Sequence, residues 1–250
     1  MCGTCGCEAH VPGAPELALS PRARSHEHPP ERSGRRLAVE ASLLAHNRAQ
    51  AERLRARLAA LGIDSIGLLG GPGAGKTALL EATLERLGRA AAAREAVVEG
   101  DCATDHDARR VAARGARAVQ VATGALCHLD AHLVAHALDE LDLGGVERLW
   151  IENVGNLVCP APFPCGERRR AVLVSAPEGD EKPEKYPALF ASADLLVITK
   201  ADLLPHVDFD VARCAASARA VRPGLPHLVL SARSGIGMEA WLDWVRDGRA

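Results

Sequence analysis

The sequence contains no apolar run approaching the roughly 18 residues that a membrane-crossing helix needs, so no membrane span is predicted. It also carries no excess of charge of one sign. Lys and Arg number 30 against 32 Asp and Glu, a formal net charge of −2. That balance argues against a nucleic-acid partner held by a broad basic surface. The N-terminus lacks the basic stretch and following apolar stretch of a secretory leader, and is rich in cysteine instead. Together these absences predict a cytoplasmic protein whose partners are neither nucleic acid nor membrane. A chain of 250 residues can bury one sizeable core with a small appendage. In a reducing compartment its eight cysteines are ligands or core residues rather than disulfides.

The most informative stretch is GGPGAGKT, Gly70 to Thr77. It fits the phosphate-loop pattern G-x-x-x-x-G-K-[ST] at every fixed position. A short apolar segment precedes it and a helix-forming segment follows, which is the strand–loop–helix setting the pattern requires. The glycines let backbone N–H groups turn towards phosphate oxygens, and the helix N-terminus adds its positive end. Gly71, Gly73, Ala74, Gly75, Lys76, Thr77 and Ala78 are therefore the expected phosphate contacts. Lys76 is expected to reach the β- and γ-phosphates, and the Thr77 hydroxyl to ligate Mg²⁺. The bland alternative is a Gly-rich turn with no ligand.

Apolar runs at 63–69, 96–99, 118–122, 146–151, 171–175, 193–199 and 226–231 alternate with helical stretches. That alternation predicts an α/β fold of the P-loop class: a doubly wound, mainly parallel seven-stranded sheet with helices on both faces. Ahead of it, Leu37, Leu44, Ala51, Leu54, Leu58 and Leu61 recur at helical spacing, giving one amphipathic helix that ends near Gly62. The expected organisation is a tail and linker over 1–36, disordered when free, and a nucleotide-binding domain over 37–250.

Ligands in such sheets bind at the carboxyl ends of strands, and the remaining motifs follow strands. In Glu99-Gly100-Asp101, Asp101 either approaches the Mg²⁺ shell, positions an attacking water, or caps a helix. In Ile151-Glu152-Asn153-Val154-Gly155, Glu152 is placed as a second Mg²⁺ anchor. The Gly155 N–H can meet a γ-phosphate and make a nucleotide-sensing switch. Thr199-Lys200-Ala201-Asp202 resembles the N-K-x-D guanine motif with Thr for Asn. The Asp202 carboxylate can accept two hydrogen bonds from guanine, and Lys200 would lie along the base. Losing the Asn amide is expected to remove a supporting bond. Ser231-Ala232 resembles the loop whose N–H contacts guanine O6. These features favour GTP over ATP.

Two sets of soft donors stand out. Cys2, Cys5 and Cys7 lie within MCGTCGCE, and thiolates favour Zn, Cu(I), Fe–S or Ni. With Met1 removed, the Cys2 amine would complete a square-planar set suited to Ni(II). The alternative is a tail whose cysteines do nothing, or a redox pair. Further on, Cys127 and His128 fall at or near a helix N-terminus, which favours thiolate, and Cys159 lies just after the Glu152–Gly155 switch. Shared between them, a metal ion would feel the nucleotide. Three ligands leave coordination open, so a twofold dimer is attractive. Cys165 and Cys214 look ordinary. Cys102, beside Asp101, either joins a metal site or fills core. His10, His26 and His28 either bind metal weakly or are solvated.

Taken together, CGTCGC, LLAHNRAQAERLRARL, GGPGAGKTALL, VEGD, TGALCHLDA, IENVGNLVCPA, EGDEKPEKYP, ITKADLLPH and SARSGIGMEAWLDW resemble the hydrogenase nickel-incorporation GTPases, the HypB family. The resemblance covers the chain apart from 9–36. It implies a slow GTPase that hydrolyses GTP with Mg²⁺ and delivers Ni²⁺ to the large subunit of [NiFe]-hydrogenase, alongside a maturation accessory protein. It implies a tight nickel site at Cys2, Cys5 and Cys7. A weaker nickel or zinc site would form at Cys127, His128 and Cys159, bridging a homodimer. Lys76, Asp101 and Glu152 would serve hydrolysis, Thr77, Asp101 and Glu152 would hold Mg²⁺, and Thr199, Lys200 and Asp202 would hold the base. The chain departs from the family in Thr199 and in a linker with few histidines. The nearest rival is the urease accessory GTPase, which carries Cys-Pro-His at its metal site. A passive metal-storage protein and a small-molecule kinase are the rivals from other classes.

Overall fold

The computed structural model describes residues 30–101, 106–124 and 126–247. Residues from Glu40 onward form one compact unit. Seven strands, β1 (Asp64–Gly70), β2 (Glu95–Asp101), β3 (Arg117–Ala122), β4 (Arg148–Glu152), β5 (Arg169–Ser175), β6 (Leu195–Thr199) and β7 (His227–Val229), make a single sheet. Its order is β3-β2-β4-β1-β5-β6-β7 and every strand pairing is parallel, as the apolar runs predicted. The inner strands β1, β5 and β6 are almost wholly buried, while the edge strands β3 and β7 are half-buried. This is why the inner strands read as continuous apolar runs.

The helices are α1 (Pro30–Ala60), α2 (Lys76–Leu87), α3 (Arg89–Ala92), α4 (His106–Ala113), α5 (Ala131–Asp139), α6 (Lys182–Lys185), α7 (Pro187–Ala191), α8 (Val211–Val221) and α9 (Met238–Asp247). Alternate strand residues sort into separate clusters because strand side chains alternate between faces. Ile66, Leu68, Val97, Trp150, Leu173 and Val197 pack with α2, α4 and α9. Ala96, Val98, Leu149 and Ile151 point the other way, onto α1 and α5. Val172, Val174, Leu196 and Ile198 meet α7 and α8. Helices thus cover both faces.

The leading helix begins at Pro30, inside the stretch expected as linker, and proline at a first helical position is preorganised for that start. Ala51, Leu54 and Leu58 bury the expected stripe. Leu61 does not share it, because the helix ends at Ala60 and the side chain turns into solvent. The connection between β4 and β5, residues 153–168, carries no helix, unlike the other crossovers. It is held by α1: the buried Asn47 amide donates to the Pro164 carbonyl at 2.9 Å and accepts from the Ala131 N–H at 2.9 Å. Arg55 donates to the Glu167 carbonyl at 3.0 Å.

One asparagine therefore secures both the β4–β5 connection and the start of α5. Replacing Asn47 with Ala strands two backbone groups, and a stability loss of about 1–3 kcal/mol is expected from an unsatisfied buried partner. The urea midpoint reads this directly; an unshifted midpoint would contradict the assignment.

Candidate nucleotide site and adjoining metal cluster

Strand β1 ends at Gly70, and the chain turns through 71–75 into α2, which starts at Lys76. Gly75 caps the helix with φ 89°, a conformation open to glycine and strained for other residues. The first turn of α2 contains no acidic residue, so its positive end is left for an anion. The Lys76 ammonium is buried and folded back on the loop, 3.4 Å from the Gly70 carbonyl and 3.3 Å from that of Gly71. Pro72, Gly73, Gly75, Thr77 and Ala78 line the same cleft, of about 490 Å³.

The far wall of the cleft is acidic. Glu99 on β2 stands in register with Glu152 on β4. By strand alternation both side chains share the α2 face of the sheet, the face that carries Val97 and Trp150. Both are buried and hydrogen-bonded to one another. Burial, and then the neighbouring Glu152 charge, push the Glu99 carboxyl up to about 11. Burial likewise raises Glu152, against the pull of Lys76. The Thr77 hydroxyl donates to Glu152 at 2.7 Å and lies 3.2 Å from Asp107. One oxygen of Glu99 and one of Glu152 have no hydrogen-bond partner. Orphaned buried carboxylate oxygens beside a Thr hydroxyl are the all-oxygen donor set of a hard divalent cation. The residues therefore fit Mg²⁺, with Thr77 and Glu152 best placed to hold it. Asp101 lines the cleft as expected, at the end of β2.

A second pocket of about 240 Å³ adjoins the first and shares Gly75 and Ala78 with it. Thr199, Lys200, Asp202, Ser231 and Ala232 line it. Lys200 has φ 57°, alone among the described non-glycine residues in adopting the left-handed conformation. The Asp202 carboxylate accepts from the Ser231 hydroxyl at 2.5 Å, and that bond holds it below the usual carboxylate range. Ser231 spends its own N–H on the Ile236 carbonyl at 2.8 Å. Thr199 stands in the position of the motif's Asn and lines this pocket. Its buried hydroxyl donates to the Ala74 carbonyl at 2.6 Å, tying the base loop to the phosphate loop.

The soft-donor cluster stands on neighbouring loops. Cys127, His128 and Cys159 each offer a ligand atom, all within 4.8 Å of one another. Cys127 Sγ lies 3.8 Å from His128 Nδ1. The His128 ring packs on Phe163 with centroids 4.2 Å apart, and burial lowers its pKa against the opposing pull of Asp130. Two thiols and a neutral imidazole suit nickel or zinc. Cys127 and His128 lie near a helix N-terminus rather than in its first turn. Helix α5 starts at Ala131, and the Asp130 carboxylate already caps it, accepting from the Leu133 N–H at 2.8 Å.

The segment from Glu152 to Asn156 lies between the two sites. Gly155 comes so close to Pro72 that a Cβ would sit 2.9 Å from its backbone. Asn153 accepts from the Leu129 and Val154 N–H groups, both at 2.9 Å. Asn156 donates from its backbone to Gly70 and from its side chain to the Cys127 carbonyl, and accepts from the Val158 and Cys159 N–H groups.

Sequence reasoning overlooked Glu99, Asp107 and these two asparagines. Glu99 was legible: with Val97 apolar and inward, strand alternation puts residues 99 and 101 on the same face. Asp107 comes from α4 and is oriented by Arg110 at 2.6 Å, a tertiary placement with no local signature. Cys165 and Cys214 are buried with thiol pKa values raised by desolvation, as core residues should be. Cys2, Cys5, Cys7, His10, His26, His28 and Cys102 lie outside the described residues.

A phosphate loop at a strand–helix turn, an acid on the next strand and an adjoining Lys-x-Asp pocket define a P-loop nucleotide-binding protein. The model of the CobW/HypB/UreG nucleotide-binding domain matches residues 64–229. The chain belongs to this family, and within it to the HypB hydrogenase maturation factors. It is 50% identical over 229 residues to hydrogenase maturation factor HypB of Azotobacter vinelandii, covering 91% of this chain and 74% of that one. It is 48% identical to the Escherichia coli K12 factor over 223 residues, covering 89% and 76%. The crystal structure of HypB from Archaeoglobus fulgidus superposes with a TM-score of 0.74 at 39% identity, covering 81% and 98%. HypB from Helicobacter pylori in complex with nickel superposes at 0.75 and 34% identity, covering 81% and 94%.

Thr199→Val keeps the shape and removes the hydroxyl beneath Ala74. An unsatisfied carbonyl costs about 1–3 kcal/mol, so guanine-nucleotide affinity should fall about tenfold in a fluorescent-GDP titration. Affinity equal to the parent would show the clamp to be idle.

Proposed function

We propose that this chain is a GTP-hydrolysing nickel metallochaperone for [NiFe]-hydrogenase maturation, in which the nucleotide state governs metal affinity and dimerisation. The observation that carries the reading is the convergence of Cys127, His128 and Cys159 on loops that adjoin a phosphate loop with a guanine-type pocket. The names of its relatives support the maturation role, and the nickel complex of the Helicobacter pylori protein supports the cargo.

In this reading the 70–75 loop and Lys76 bind the phosphates, Asp202 accepts from guanine, and Ala232 supplies the N–H for O6. Thr77 and Glu152 hold Mg²⁺, with Asp101 close by; the ion neutralises charge on the phosphate oxygens. Gly155 meets the γ-phosphate, and its movement shifts Cys159 relative to Cys127 and His128. Intrinsic turnover is slow, because no arginine is poised as a finger over the phosphates among the residues lining the cleft except Arg110, which is paired with Asp107 and Glu81.

Three donors leave a metal site incomplete, and a second copy would complete it. Leu126 and Val158, each immediately before a cysteine ligand, are exposed large apolar side chains, as a dimer contact around the metal requires. Zinc is an alternative occupant of this site. The Cys2, Cys5 and Cys7 tail would hold nickel more tightly. A hydrogenase accessory protein and the hydrogenase large subunit are the partners in delivery.

Lys76→Ala should lower GTP hydrolysis about a hundredfold or more, the scale of losing one preorganised charge-stabilising group. Rates equal to the parent would favour a storage protein with an idle nucleotide site. Asp202→Ala removes hydrogen bonds to a charged acceptor worth about 1.5–3 kcal/mol; the preference for GTP over ATP should fall about tenfold to hundredfold in competition binding. A preference that survives the substitution would place guanine recognition elsewhere.

A further inference from the structure

The β4–β5 connection is pinned at both ends of its switch by asparagines that do different jobs. Asn153 is the fixed end. It is buried, its N–H donates to the Leu68 carbonyl at 3.0 Å as though extending the sheet, and its amide nitrogen reaches Cys165 Sγ at 3.7 Å. Three residues later, Asn156 is the next residue of the connection to be tied by hydrogen bonds to another segment. Its N–H donates to the Gly70 carbonyl at 3.1 Å, closing a one-residue antiparallel bridge onto the first residue of the phosphate loop.

The Asn156 side chain then reaches both cysteine ligands through their backbones. Its Nδ2 donates to the Cys127 carbonyl at 3.3 Å. Its Oδ1 accepts from the Val158 N–H at 2.8 Å and from the Cys159 N–H at 3.3 Å. The amide orientation is dictated by the network. A flipped side chain would set its NH₂ against two N–H donors and its oxygen against a carbonyl. A single residue next to Gly155 thus holds the phosphate loop with its backbone and the two thiol-bearing segments with its side chain.

We propose that Asn156 is the positioning residue through which the nucleotide state sets the spacing of Cys127 and Cys159, and hence nickel affinity. The inference rests on the nucleotide-dependent metal reading given above. Movement of Gly155 towards a γ-phosphate displaces the next residue with it, and the Asn156 carboxamide transmits that displacement to both cysteine backbones at once. Asn153, fixed to Leu68 and Leu129, keeps the opposite end still, so the displacement is not absorbed along the connection.

The test compares nickel affinity of the full-length dimeric protein with GDP and with a non-hydrolysable GTP analogue, each saturating. Cys2, Cys5 and Cys7 are replaced by Ser throughout so that only the second site reports. The readouts are the thiolate-to-nickel charge-transfer band and the ratio of the two affinities. Coupled sites typically show a ratio of about 5–150. Asn156→Ala should bring the ratio towards one. Asn156→Asp keeps both acceptor bonds but replaces the donor to Cys127 with an oxygen, and should give an intermediate ratio. If Asn156 merely supports the loops, affinity drops by the same factor in both nucleotide states and the ratio stands; that result overturns the proposal, as does a parental ratio in both variants. A parent protein with no nucleotide dependence at all would instead refute the underlying functional reading, and this proposal with it.

Discussion

Two carboxylates, Glu99 and Glu152, are held side by side in a buried position by the register of neighbouring parallel strands. Burial keeps the Glu99 carboxyl protonated, so that it shares its proton with Glu152 instead of repelling it, and two of their oxygens have no partner. A pair like this persists only where the surrounding fold over-determines it and where something else offsets the cost. Lys76 supplies part of the compensation, and the Thr77 hydroxyl a further part. The unpartnered oxygens fit a hard divalent ion. The phosphate loop, the strand ends and the first turn of α2 all meet at this acid pair.

From that acid wall the chain leads directly to the metal cluster. Glu152 ends β4, and the next four residues contain the fixed asparagine, the glycine pressed on Pro72 and the asparagine bonded to Gly70 and Cys127. Cys159 follows three residues later. The route from nucleotide to thiol is therefore short and passes through hydrogen bonds to backbone groups rather than through a chain of packed side chains. Helix α1 provides the counterpart from outside, since Asn47 braces both Pro164 and Ala131. The loops that carry the donors are thus positioned from two directions, with the His128 ring resting on Phe163 between them.

Much of this was legible in the residues. The seven strands, their parallel arrangement and the two-sided helical cover follow from apolar runs that alternate with helical spacing. The phosphate loop is an unbroken pattern, and Cys127, His128 and Cys159 are found together in space. What could not be read was placement that depends on tertiary register. Asp107 reaches Thr77 only because α4 packs against α2. Thr199 looked like a weakened guanine motif, yet its hydroxyl finds the Ala74 carbonyl, a contact between residues far apart in the chain. The exact start of α5 was not readable either: Asp130 caps it, with Cys127 and His128 just ahead. Caps compete over short distances, and a run such as Cys-His-Leu-Asp offers several candidates.

The helix-free crossing over residues 153–168 has an evolutionary corollary. It touches the sheet ladder at its two ends, through Asn153 and Arg168, and at the Gly70–Asn156 bridge, and several of its side chains face outward. Ala161 and Cys165 are built into two of the packed clusters, but exchanges at the outward-facing positions leave strand pairing untouched. Substitutions at its outward-facing positions, such as Val158, would therefore reshape the surface around the soft-donor cluster while the sheet beneath stays the same.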